Sequence, residues 1–159
     1  STRQIAALTT SQIATLSSEQ LQALTPANIT GLNASRVAAL TTTNLPGLQS
    51  VDLAAITTEA IAGLETTDIE RLSVIQVKGL TEEQIAVLTS AQIQALTTSN
   101  IPGLSSAQIA ALNTANIRFL SVGDIGALDT YKANLARAVS ENASSAPLPR
   151  MRSCGRMNA

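Results

Sequence analysis

Aliphatic residues recur at two fixed places in every block of eight along residues 1–128. In frame, the chain reads STRQIAAL, TTSQIATL, SSEQLQAL, and continues without a slip to SVGDIGAL at 121–128. Position 5 of all sixteen octads is Ile, Leu or Val, from Ile5 to Ile125, and position 8 is Leu except at Ile56. Positions three apart share one face of a helix. In a strand they would face opposite sides, and Gln, Ala and Leu are middling to poor strand residues. A β-solenoid is therefore the weaker rival. A continuous helix or coiled coil would need about 4.0 residues per turn to keep an eight-residue stripe aligned, too far from 3.6.

The polar positions say where each helix begins. Position 1 is Ser or Thr in twelve octads and Asn in two, and position 4 is Gln in seven, Asn in four and Asp in three. Ser or Thr followed three residues later by Gln is the spacing of a capping box, in which each side chain satisfies a backbone N–H of the other. Thr9 with Gln12, Thr81 with Gln84, and Thr89 with Gln92 are the expected caps. Pro26 stands at position 2, the first helical place, where proline is tolerated. Pro46-Gly47 and Pro102-Gly103 stand at positions 6 and 7, where proline would disrupt a longer helix. Position 7 is Ala or Gly in twelve octads, which lets the chain turn or a neighbouring backbone come close.

The expected fold class is all-α, a solenoid of very short capped helices. An isolated helix of this length is marginal in water, so stability must come from contacts between neighbouring repeats. The expected core runs through Ile5, Leu8, Ile13, Leu16, Ile85, Leu88, Ile93 and Leu96. A longer period lies beneath the short one. Gly31, Gly47, Gly63 and Gly79 are sixteen apart, and charged residues favour odd octads eleven to three. This suggests a coil of sixteen residues with two helices each, the odd ones more exposed. Eight such coils, at about 8–10 Å per packed layer, would form a rod of about 70 Å. The Ile5 and Leu8 layer would be sticky at its open end.

Beyond Leu128 the pattern decays. Residues 129–140 are expected to form a capping helix, with Tyr131 covering the end of the core, and residues 141–159 a disordered basic tail. Residues 1–128 hold nine acids and five bases, whereas 129–159 hold two acids and five bases. A weakly acidic array argues against nucleic acid as a partner. No stretch is apolar for long enough to span a bilayer.

The chain offers little for chemistry. It contains no histidine, which removes the commonest general base and metal ligand. No nucleophile elbow or phosphate loop is present. The carboxylates Glu65, Asp68 and Glu70 surround Arg71, and Glu82 adjoins Glu83; both groups read as solvated helix faces. Phe119 at position 7 reads as packing at the end of the array. The expectation is no enzyme, no cofactor and no metal site.

Octads such as TTSQIATL, TSAQIQAL and SSAQIAAL resemble tandem octapeptide repeats of very large proteobacterial proteins labelled as haem-utilisation or adhesion proteins. The resemblance covers residues 1–128 and implies an exported or surface-associated stalk. Its haem label fits poorly, because the available axial ligands, Tyr131, Met151, Cys154 and Met157, all lie outside the octads. The leading expectation is a stiff spacer or adhesive stalk at the cell surface, self-associating or bound to a protein partner; a cytoplasmic location remains open. A peptide- or protein-binding scaffold is the alternative, with residues 65–72 and 113–120 as the deviant octads. Lattice binding (ice or polysaccharide) through Thr rows is the third.

Overall fold

The computed structural model describes residues 1–112 and 114–127. The expected capping helix with Tyr131 and the basic tail lie outside the described residues. Within them the protein is an all-α solenoid of short helices, one per octad, joined by pairs of extended residues. The helix Glu82–Val87 is typical. Thr81 before it is extended, with φ −80° and ψ 163°, and Leu88 after it is extended again, with φ −60° and ψ 137°. Two extended residues redirect the chain, and the next cap restarts a helix. In the sixth and thirteenth octads, counted from residue 1, the Pro-Gly pairs replace the α-helix by the single 3-10 turns Leu45–Gly47 and Ile101–Gly103. Proline lacks the N–H that a further α-turn would use.

The coil is not sixteen residues long, as the glycine spacing suggested. Elements in close contact lie three octads apart: Thr2–Ala7 on Pro26–Ile29, Ser50–Ala55 on Val74–Gly79, Glu82–Val87 on Ser106–Ala111. Side-chain hydrogen bonds between turns span 28 to 31 residues. One turn therefore takes between three and four octads. Sixteen octads make about four and a half turns, a column about 40 Å long at the usual layer spacing rather than 70 Å. The physical reason is the corner. Each extended pair redirects a helix by less than a reversal, so more than two helices are needed to close a turn around the core.

The interior is a stack of position-5 and position-8 side chains. Ile13, Leu21, Ile61, Ile69, Ile85, Ile93 and Leu104 are fully enclosed. Ile5, Ile85, Leu88, Ile93 and Leu96 are buried. Leu8 and Leu16 depart from expectation: they are half-buried, packed against the edge of the core rather than within it.

The small residue at position 7 admits a neighbouring backbone. Among the described residues no glycine has positive φ, so none is needed for the turn itself. A Cβ on Gly47 would instead collide with the Ser18 carbonyl, and one on Gly63 with that of Ala34, 29 residues earlier in each case.

Candidate functional site

The arrangement that distinguishes this protein is a ladder of position-4 side chains between turns. Each expected cap is present. Thr9 Oγ1 accepts from Gln12 N at 3.2 Å while Gln12 Oε1 accepts from Thr9 N at 2.9 Å. Thr81 with Gln84 and Thr89 with Gln92 form the same reciprocal pair. The capping glutamine then uses its other end. Gln84 Nε2 donates to the carbonyls of Leu53, at 2.8 Å, and Ile56, at 2.6 Å, in the preceding turn. Gln76 bonds Leu45 and Leu48, and Gln108 bonds Val77 and Leu80, at equivalent positions. Gln92 reaches Ala62 and Leu64.

Each such amide is buried, with both ends satisfied. Its oxygen closes a helix start, and its nitrogen donates to carbonyls at the end of a helix one turn away, of which the position-5 carbonyl also accepts a backbone N–H. Asparagine reaches one carbonyl instead of two: Asn44 bonds that of Ile13 at 3.0 Å, and Asn100 that of Ile69 at 2.8 Å. Arg36, at position 4 of the fifth octad, donates from its guanidinium to the carbonyls of Leu8 and Ala6.

Position 4 was read from sequence as a local cap, and its bond across the turns was missed. A signal was available. A capping box accepts Glu as readily as Gln, and the chain has several glutamates, yet none stands at position 4. A carboxylate closes the cap but has no hydrogen to donate across the turn.

Aspartate at position 4 is the exception; Asp68 departs from the solvated face expected of its group, while Glu65 and Glu70 are exposed as read. Asp52, Asp68 and Asp124 are all buried. Burial pushes the Asp52 carboxyl above its ordinary value, against the lowering effect of the Gln49 N–H. Burial also raises Asp68, with the Glu65 N–H lowering it and the Glu65 charge adding a smaller upward push. Glu82 and Glu83 are exposed, as read. Phe119 is partly buried against the core, with the Arg118 guanidinium 5.0 Å from its ring centre.

Among the described residues, a surface cavity of about 380 Å³ has a lining that includes Gln22, Pro46, Arg71 and Ile75. Among the described residues no group of three or more His, Cys, Asp or Glu side chains is placed to hold a metal ion. No helix among them is long and apolar enough to cross a membrane.

The family described as the ALTTAQ repeat matches residues 1–26 and 61–98. The match falls on octads whose caps and core have just been described, and it supports a tandem-repeat family for the chain. No curated protein and no solved structure matches it.

Proposed function

We propose that the array is a non-enzymatic structural module, a stiff spacer or adhesive stalk of an exported or surface bacterial protein. The observation that carries this reading is the uniformity of the fastening. Gln76, Gln84 and Gln108, in three different octads, make the same cap and the same two bonds to the preceding turn. Repeats bonded alike add like neighbour contacts along one continuous column, which suits a spacer. Leu8, Leu16 and Leu24 in the first turn are only partly buried against the core.

A second reading is favoured by one feature. The cavity beside Arg71 and Ile75 lies near the exposed apolar residues Val51, 55% accessible, and Ile75, 69% accessible. That patch suits a scaffold holding a peptide or protein. Protease shaving of intact bacteria that carry the full protein separates the two. The spacer reading expects the array to be released from the cell surface, and adhesion to survive Ile75→Ser combined with Arg71→Ala. Retention inside the cell overturns it. Loss of adhesion with those two substitutions transfers the function to the groove.

A further inference from the structure

Asp52 is fully buried, and its Oδ1 has no hydrogen-bond partner, while its Oδ2 accepts from Gln49 N at 3.1 Å. Where a position-4 side chain bonds across the turn, the group placed like Oδ1 is a donor. Asn44 Nδ2 bonds a carbonyl 31 residues earlier, and Gln84 Nε2 bonds carbonyls 31 and 28 residues earlier. The residue 31 before Asp52 is Leu21, the register equivalent of Ile13 before Asn44 and Leu53 before Gln84. A bare carboxylate oxygen there would face a carbonyl oxygen with nothing between them. A neutral acid would face it with a hydrogen.

We propose that Asp52 is held as a neutral carboxylic acid whose Oδ1–H donates to the Leu21 carbonyl, making a pH-sensitive clasp between the third and seventh octads. The proton comes from solvent and returns to it; no other group changes. Burial acts in the same direction, since it disfavours the charged form. The elements packed around the helix Ser50–Ala55 do not counter this. Pro26–Ile29 carries no charge, and Lys78 on Val74–Gly79 and Glu19 on Ser18–Gln22 both point to solvent. No other charged residue lies in the seventh octad.

The sign follows from linkage. A group whose folded value lies above its unfolded one stabilises fully below the unfolded value and loses that contribution as pH rises through the folded value. The ordinary value is 3.8, so the clasp is complete below it and opens as the pH rises through the higher folded value. The test is carbon-detected NMR titration of the Asp52 carboxyl in the whole protein, with thermal melts of the wild type, Asp52→Asn and Asp52→Ala from pH 3 to 8. Asparagine supplies a permanent donor. The proposal expects a midpoint above 3.8. It expects the wild type to melt with Asp52→Asn at pH 3 and to fall several degrees below it by pH 8. Asp52→Ala, with neither donor nor charge, should melt below Asp52→Asn by the same interval at every pH. A midpoint at or below 3.8 overturns the proposal, as do melts of wild type and Asp52→Asn that run parallel throughout.

Discussion

Gln12 and Gln84 occupy the same place in nearly the same octad, yet they do different work. Both close a capping box with a threonine three residues earlier. Gln84 is buried and reaches back to two carbonyls; Gln12 is exposed and makes only the cap. The aliphatic positions follow suit: Leu88 is enclosed, while Leu16 is half-buried. The motif therefore specifies a helix on its own terms, but its contribution depends on whether another turn lies beneath it. A repeat in the middle of the array is held by its own cap and by its neighbours. A repeat in the first turn has the cap and one neighbouring turn.

Paired substitutions can break this contrast, and the largest effect belongs to the core. Ile85→Ala, at a fully enclosed position, should cost about 4 kcal/mol, and Leu16→Ala about 1 kcal/mol, because the half-buried site leaves little cavity. Urea denaturation with unchanged slope reads both. Equal costs would mean that the first turn packs as tightly as the rest.

The close approach of turns comes next. Gly47→Ala drives a methyl into the Ser18 carbonyl and should cost about 3 kcal/mol. Gly126→Ala meets nothing within 4 Å and should be neutral or slightly stabilising, since alanine favours a helix. Melting temperatures of the two variants should therefore move in opposite directions, or only the first should move.

The amide ladder gives a smaller difference. Gln84→Ala removes a cap and leaves two buried carbonyls without their inter-turn donor, at about 2 kcal/mol; Gln12→Ala removes a cap alone, at about 1 kcal/mol. Hydrogen exchange at the helix Glu82–Val87 should rise more than at Thr10–Thr15. Similar losses in both would show that the bonds across turns add nothing net.

The smallest effects lie on the surface. Thr89→Ala should cost about 1 kcal/mol through its cap, while Glu82→Ala, on an exposed first turn, should stay within about 0.5 kcal/mol. A larger loss at Glu82, read from the denaturation midpoint, would give that side chain a role outside capping.

Much of this was legible because the octad solves a local problem eight residues at a time. Ser or Thr at position 1 and an amide at position 4 mark a helix start, Ile and Leu at 5 and 8 mark its buried face, and Pro46 and Pro102 mark where it shortens. These features depend on hydrogen bonds and side chains within one octad, so a single repeat states them. The length of the turn does not. It depends on the angle that the extended pair, such as Leu88 and Thr89, sets between successive helices, and small differences in φ and ψ accumulate over a full circuit. The sixteen-residue glycine spacing was read as one coil, whereas the glycines contact backbone 29 residues away.

The sequence by itself determined the repeat, the helix starts, the buried face and the absence of histidine chemistry, because each is written in residue type and spacing. Tertiary structure alone decided which amides are buried, which leucines are only half-covered, and where Asp52 comes to rest against another turn. Those outcomes depend on which residues meet at separations of 28 to 31, and no pattern within a single octad encodes that meeting.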